Sequence, residues 1–344
     1  APRPDLKQMS ASSSGTHVRL LPRLLPLILA VKAMSLSSES MKITDLARYP
    51  VKGMGLSQLT SVYIDGPGET FPDDRRFALL KKSTASKKEF DSNNPEWLHK
   101  ENFLCAFSAP EIMARYECRY RIVKSRTDVV MSHGEPWDVV GGGSSSNVDE
   151  SEETKRLLTI WKRDEDGKSQ METAGPDLGP IDLAQGTGRD ELASFFSSIS
   201  GEEVVCVTAA ESKQRHTHQF GNTRSGVKAR GDTRTVHIIN AETVKQFSDA
   251  IGIPLNPSRF RPNIVVEGMK PWAEFDLVGK SIAVKDGKDG RLVLDVVSTT
   301  VRCEGVGVDP LDKSAGVLPI PALLSKHFPQ YGPYLGVYAV VREG

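Results

Sequence analysis

The chain has 344 residues and balanced charge, with 44 Lys and Arg against 44 Asp and Glu. This length permits two domains with a sizeable core, and the even charge argues against a strongly basic protein, so nucleic acid is not an expected partner. The four cysteines include no Cys-x-x-Cys pair, which argues against a zinc ribbon or thioredoxin-like motif and favours a reducing compartment.

Residues 1–40 differ in composition from the rest of the chain. They are rich in Leu, Ser and Arg, and Asp5 is the only acidic residue before Glu39. This composition is typical of a mitochondrial targeting segment; the alternatives are a disordered extension and a mis-assigned start. The apolar run Leu27–Val31 is much shorter than the ~20 residues of a membrane-spanning helix. We therefore expect a mitochondrial location, with a cytoplasmic one as the alternative, and membrane association only through this segment.

From Met41 onward the pattern is one of short strands separated by turns. Strand-like alternation or apolar runs occur at 41–49, 60–64, 75–81 and 118–123, and a short helix is predicted at 109–116. Asp-Gly-Pro-Gly at 65–68 is a typical turn sequence. Residues 125–156 lose hydrophobic periodicity and are rich in Gly and Ser, which predicts a flexible insertion.

The remainder of the chain is predicted to contain many strands and few helices. Strands are predicted at 157–161, 202–208, 236–239, 264–266, 281–284, 292–297 and 335–341, and helices at 189–199, 241–251 and 319–327. Asn240 is a good N-cap for the middle helix, and Gly252 is its expected stop. This pattern indicates a mostly β fold with helical excursions, of the α+β class, built on barrels.

The segment 213–234 is locally basic. It carries six Lys and Arg residues against the single acid Asp232, and three glycines that let backbone amides approach a ligand. An anion is the natural partner of such a loop, and the alternative is a solvated surface loop. His216 and His218 form only a weak metal-binding pattern.

Cys303 lies between a cation, Arg302, and a Gly-rich turn. A neighbouring guanidinium favours the thiolate form of a cysteine, and thiolates bind soft transition metals. The alternative is a packing residue, since free cysteine is often buried.

The motifs around Cys303 resemble those of a known family. Arg-Phe-Arg-Pro-Asn at 259–263 and Trp-Ala-Glu-Phe-Asp at 272–276 precede the cysteine, and Val-Asp-Pro follows it at 308–310. This order resembles the MOSC domain, the C-terminal module of molybdenum cofactor sulfurase. Tyr-Pro-Val-Lys-Gly at 49–53 and Asp-Arg-Arg-Phe-Ala-Leu at 74–79 resemble the small β-barrel domain that precedes MOSC in the mitochondrial amidoxime-reducing components and their bacterial relatives.

The resemblance implies a domain organisation and a site. It places the small β-barrel domain at 41–124, the insertion at 125–156 and the MOSC domain at 157–344. It implies a molybdenum-molybdopterin cofactor, with Cys303 as the metal ligand and catalytic residue. The implied cofactor contacts are Lys52, Gly53, Arg75, Thr233, Arg234, Arg261, Asn263, Arg302 and Tyr338. Arg76 is an alternative to Arg75, and Gly53 departs from the serine that the family often carries there.

The resemblance also implies an activity, which is reduction of small N-hydroxylated or N-oxide molecules. Electrons must come from outside, because the sequence shows no flavin or haem motif, and the family's donor is a b-type cytochrome with an NADH-dependent flavin reductase. The family pattern also allows a cofactor carrier or sulfur-transfer module, since MOSC occurs fused to a pyridoxal-phosphate-dependent sulfurase. A third alternative is a barrel that has kept the fold and lost the metal. Residues 84–104 lack the family's Thr-x-Arg segment, which leaves the substrate open.

Overall fold

The structure is a computed structural model, and it describes residues 16–19, 27–31, 41–64, 66–87, 89–92, 98–123, 154–208, 220, 234–285, 291–309 and 316–343. The strands are β1 (Thr16–Arg19), β2 (Leu27–Val31), β3 (Met41–Arg48), β4 (Ser57–Leu59), β5 (Ser61–Ile64), β6 (Phe77–Lys81), β7 (Phe103–Leu104), β8 (Tyr116–Val123), β9 (Lys155–Lys162), β10 (Leu178–Asp182), β11 (Val204–Thr208), β12 (Val236–Asn240), β13 (Ile264–Glu267), β14 (Ser281–Lys285), β15 (Arg291–Val301) and β16 (Tyr334–Glu343). The helices are α1 (Lys82–Ala85), α2 (Pro110–Ala114), α3 (Gly186–Ser200), α4 (Ala241–Ile251) and α5 (Ile320–His327).

The largest sheet has eight strands in the order β13-β12-β16-β15-β14-β2-β3-β4. β3 also pairs with β13, which lies at the far end of this order, so the sheet closes on itself as a barrel. Alternating apolar residues of these strands point inward and form its core. Fully or almost fully buried members of this core are Ile43, Leu46, Val236, Ile264, Leu294 and Val337.

β12 and β13 are parallel, whereas the other pairs in this sheet are antiparallel. Parallel strands need a crossover, and α4 provides it. The Asn240 side chain caps α4 by accepting a hydrogen bond from the Glu242 amide at 3.1 Å, and Gly252 ends it in the left-handed conformation. Both signals were predicted from the sequence. The buried face of α4 packs with α5 and an aromatic group in a separate cluster outside the barrel.

A second core is built from two three-stranded sheets, β10-β9-β8 and β11-β6-β7, with α3 packed against them. β9 pairs with β8 across the 124–153 segment, and β11 pairs with β6. Residues 157–208 therefore pack with residues 51–122, and β3 belongs to the barrel. The packing thus follows a different division from the sequence ranges 41–124 and 157–344, because strand partners are set by tertiary contacts that local patterns do not encode.

The mostly β fold class is confirmed. All segments predicted as strands or helices from Met41 onward contain such an element, and β4, β7, β10 and α1 were not predicted. Within residues 1–40, β1 pairs with β5 and β2 lies between β14 and β3, so parts of this segment join the folded chain. Most of the predicted insertion lies outside the described residues. No described helix has the length and apolar character needed to cross a membrane.

Candidate functional site

A small, open cleft lies between residues 53–114 and residues 259–308, and the second of these segments carries the motifs around Cys303. Its lining residues are Gly53, Gly55, Ala106, Pro110, Met113 and Ala114 on one side and Arg259, Arg261, Gly305 and Val308 on the other. Gly53 and Arg261, both predicted as cofactor contacts, lie far apart along the chain, and the fold brings both to this cleft.

Gly53 makes a close backbone approach at the edge of the cleft. Its φ is +81°, and a Cβ built there would lie 2.5 Å from the Ala106 amide nitrogen and 2.5 Å from the Cys105 Cβ. Real Cβ atoms do not approach so closely, and non-glycine residues rarely adopt this φ. The absence of the family's serine at this position therefore has a local steric reason.

Lys52 precedes this glycine and is anchored by its backbone, since its amide donates to the Phe77 carbonyl at 2.8 Å. Its ammonium donates to the Phe220 carbonyl at 3.3 Å and lies 5.3 Å from the centre of the Phe103 ring. Burial lowers the pKa of Lys52, and nearby charges modulate it further. The charged or ionisable groups that act on it are Cys105, Arg261, Arg75 and Cys303. These groups therefore share one electrostatic neighbourhood.

Arg261 follows the 3₁₀ turn Pro257–Phe260 and has a left-handed backbone, with φ of 57°. Its Nη1 donates to the Met54 carbonyl at 2.6 Å, and its guanidinium lies 4.3 Å from the centre of the Tyr49 ring. Burial and the charge of Arg75 lower the pKa of Arg261 to about 10. Its Nη2 is buried and has no hydrogen-bond partner among the described residues, which is costly for a charged donor.

Arg75 lies beside Arg261, and Arg76 does not. Arg75 pairs with Asp74, and its Nη2 donates to the Arg261 carbonyl at 3.0 Å. Arg76 instead pairs with Asp73 at 2.8 Å, in a network that also contains Arg156. Burial alone would lower the pKa of Arg75, but Asp74, Tyr338 and Tyr49 together outweigh it and the net shift is upward. Of the two neighbouring arginines, the geometry places Arg75 near the cleft residues.

His237 connects two of the predicted site arginines, although it was not itself predicted as a site residue. Arg302 Nη2 lies 2.7 Å from His237 Nε2, and His237 Nδ1 lies 3.1 Å from the Arg261 carbonyl. Because a guanidinium only donates, Nε2 must accept and Nδ1 must donate. Burial, helped by Arg302, holds the pKa of His237 well below its usual value, so the ring is neutral. The sequence signal that could have identified His237 is its position as a polar residue within the apolar strand β12.

Two predicted contacts use their polar atoms within the protein. Arg302 donates through Nε to the Leu335 carbonyl at 2.8 Å and through Nη1 to the Phe260 carbonyl at 3.1 Å. Asn263 is fully buried, accepts from the His237 amide at 3.0 Å and donates to the Ala47 carbonyl at 3.2 Å. These side chains hold backbone segments together and are not presented to the cleft.

Cys303 has an exposed thiol at the start of the 3₁₀ turn Glu304–Val306. A Cβ built at Gly305, which lines the cleft, would lie 3.5 Å from the Cys303 Sγ and 3.6 Å from the Phe107 Cβ. The thiol therefore lies beside Gly305 at the edge of the cleft, although Cys303 itself is not a lining residue. Arg259 holds this turn in place, because its Nη1 donates to the Gly307 carbonyl at 2.6 Å.

The remaining predicted contacts are less central. Arg234 is buried and pairs with Glu69, and the Tyr338 ring lies 5.2 Å from the His237 ring across the β12–β16 pair. Thr233 lies outside the described residues, as do His216, His218 and nearly all of the basic segment 213–234. No described cluster of three or more His, Cys, Asp or Glu side chains has the geometry of a metal site.

Comparison with known families agrees with the C-terminal motifs. Residues 216–344 match the family model described as the MOSC domain. This match includes Arg261, Arg302 and Cys303, and it indicates a relationship to proteins of molybdenum cofactor binding or sulfur transfer. No curated protein matches the chain.

Proposed function

We propose that this chain, in which residues 216–344 match the MOSC domain, binds a molybdenum-molybdopterin cofactor at the cleft and reduces small N-hydroxylated or N-oxide molecules. The main support is a surplus of positive charge. Arg261 lines the cleft, Lys52 and Arg75 lie in its electrostatic neighbourhood, and the nearby carboxylate of Asp74 pairs with Arg75. Such a cluster of cations favours an anionic ligand.

The phosphate of a molybdopterin would satisfy this requirement. Arg261 Nη2 is a buried charged donor without a partner in the described structure, and a phosphate oxygen accepts strong charge-assisted hydrogen bonds from guanidinium groups. Lys52 adds a second cation, and the close approach at Gly53 leaves the neighbouring backbone free of a side chain. The donor set therefore fits an anionic cofactor.

Cys303 fits the role of a single protein ligand to the metal. The described residues offer no cluster of three or more ligands, so a metal beside Cys303 would bring most of its ligands with it, as a dithiolene-bound molybdenum does. Thiolates suit such soft metal centres. When bound, the cofactor would supply the two-electron chemistry that removes oxygen from nitrogen.

The protein's own residues would hold and orient this group. Arg75 and His237 both donate to the Arg261 carbonyl, which fixes the left-handed backbone from which the Arg261 side chain reaches the cleft. Arg302, the residue before Cys303, donates to the carbonyl of Phe260, the residue before Arg261. The proposed metal ligand and the proposed anion-binding arginine are thereby parts of one connected unit.

The test is cofactor content. The full chain, Arg261→Met, Cys303→Ala and the control Cys206→Ala would be purified from a host that makes molybdopterin, and molybdenum and pterin would be quantified per protein. Cys206 is a matched control, because it is a thiol on β11 paired with β6 and does not line the cleft.

We expect near-stoichiometric molybdenum and pterin in the parent and in Cys206→Ala. Arg261→Met should lose both by about tenfold or more, since a hydrogen bond to a charged group contributes about 1.5–3 kcal/mol. Cys303→Ala should lose molybdenum more than pterin. A folded parent protein that contains neither component, despite abundant supply, would refute the proposal.

The exposed thiol of Cys303 supports a second candidate, a cofactor carrier or sulfur-transfer module. Turnover separates the two functions. A loaded reductase should reduce an N-hydroxylated small molecule when given a chemical electron donor, whereas a carrier should release cofactor without reduction. For the reductase we propose a b-type cytochrome with an NADH-dependent flavin reductase as donor and a mitochondrial location, which reconstitution and fractionation would test.

A further inference from the structure

We infer that Tyr49 is a positioning residue of this site: its aromatic ring holds Arg75 and Arg261 close together and leaves Arg261 Nη2 available to an anion. The inference rests on the proposed function, because the anion is the proposed cofactor. Nothing in the motif pattern assigns a role to this ring.

The geometry places two cations on one ring. The Arg261 guanidinium carbon lies 4.3 Å and the Arg75 guanidinium carbon 5.2 Å from the centre of the Tyr49 ring, which is 1% exposed. Both arginines are half-buried around it, and burial together with the charge of Arg75 lowers the pKa of Arg261. An aromatic face attracts cations, and this attraction is strongest when the pair is removed from water.

A ring offsets charge in a way that a carboxylate would not. Asp74 is engaged by Arg75 and by the Tyr49 amide, which donates to its Oδ1 at 2.8 Å. A carboxylate beside Arg261 would occupy its N–H groups with strong hydrogen bonds and compete with a ligand. The Tyr49 face stabilises the cation and leaves Nη2 without a hydrogen-bond partner in the described structure.

The hydroxyl of Tyr49 is not needed for this role. It is buried and has no hydrogen-bond partner among the described residues. Burial raises the pKa of Tyr49, so the phenol stays protonated and does not act as a counter-charge. A phenyl ring should therefore replace it, whereas an apolar side chain of similar size without a π face should not.

The experiment compares Tyr49→Phe with Tyr49→Met, each in the full chain and in the Arg75→Met background, produced with the cofactor supply described above. Molybdenum and pterin per protein would be measured after washing at increasing KCl, and thermal unfolding would verify folding. We expect Tyr49→Phe to retain cofactor within about twofold and Tyr49→Met to retain about tenfold less, the effect of losing desolvated cation–π contacts. The loss should shrink in the Arg75→Met background, where the repulsion between the two cations is gone.

The outcomes separate this inference from the proposed function. A parent protein without cofactor would refute both the proposed function and this inference. A loaded parent with an equally loaded Tyr49→Met protein overturns the inference alone. Loss of cofactor from a folded Tyr49→Phe protein also overturns it, because the hydroxyl would then be the group that matters. If Tyr49→Met does not fold, Tyr49→Leu takes its place as the variant without a π face, and an equally loaded Tyr49→Leu protein would likewise overturn the inference.

Discussion

His237 shows how a single side chain can link the residues of a candidate site. It is buried and neutral, and it bridges Arg302 and the Arg261 carbonyl while its ring packs near Tyr338. Burial and the nearby charges of Arg302 and Arg75 disfavour its protonation. The candidate site residues Arg261 and Arg302 are therefore connected through a residue that no motif marks.

The buried neutral state of His237 predicts a pH dependence of stability. The unfolded-state pKa of histidine is about 6.5, and burial depresses the folded-state pKa of His237 well below it. Below pH ~6.5 the unfolded chain binds a proton that the folded chain does not, so the free energy of unfolding falls as pH falls. Between pH 6.5 and 5.5 this contribution is about 1 kcal/mol.

Urea unfolding at pH 7.5, 6.5 and 5.5 tests this, with His237→Gln as the comparison. The parent should lose about 1 kcal/mol more than the variant over the acidic interval. Parallel pH profiles for the two proteins would show that His237 takes up its proton in the folded state as well.

At the scale of elements, two turns brace each other around the cleft. The Arg259 side chain donates to the Gly307 carbonyl in the turn that follows Cys303, and the Arg302 side chain, just before that cysteine, donates to the Phe260 carbonyl. Each turn thus carries an arginine that holds the backbone of the other. Arg259 also pairs with the buried carboxylate of Asp309 at 3.4 Å.

This reciprocal bracing predicts a large cost for Arg259→Met. The substitution would leave Asp309 buried with a lost partner, and breaking a buried ion pair costs about 3–5 kcal/mol. The matched control is Lys245→Met, which removes an exposed i,i+4 pair with Asp249 and should cost less than about 0.5 kcal/mol. Chemical denaturation of both variants checks this, and equal costs would mean that the brace adds no stability.

The elements themselves were largely readable from the sequence, because alternation, caps and turn residues are local signals. α4 is the clearest case, with Asn240 and Gly252 at its ends. β10 was missed because Pro180 interrupts it and it lacks clean alternation. Motifs located Arg261 and Cys303 but not the partners of Asn263 and Arg302, since a motif gives position along the chain and not what a side chain contacts.

At the scale of the whole molecule, the pairing of strands from distant parts of the chain was not predictable from the sequence. β3 joins the barrel of the C-terminal half, and β9 to β11 join the core of the N-terminal half. Local patterns specify that these segments are strands, but their partners depend on packing across the entire chain. Residues of both halves line the cleft, so it forms only when these long-range strand pairs are in place.

Because β3 is part of the barrel, we expect that residues 216–344 alone will not fold cooperatively, although they contain the whole family match. The fragment lacks β3, whose Ile43 and Leu46 are buried in the barrel core. Each such side chain contributes about 1.5–3 kcal/mol, against a typical net stability of about 5–15 kcal/mol. Near-ultraviolet circular dichroism with urea titration would test this beside the full chain. A sharp transition in the fragment would contradict it.

The pairing of β3 with β13 also orders events during protein synthesis. The Thr44 hydroxyl donates to the Val265 carbonyl across a separation of 221 residues. At roughly 5–20 residues per second, the ribosome needs roughly 10–45 seconds between the two strands. For that time β3 is outside the exit tunnel without its partner β13, whereas its neighbours β2 and β4 are already synthesised. The barrel can close, and the cleft can receive a ligand, only after translation has passed the Arg-Phe-Arg-Pro-Asn segment.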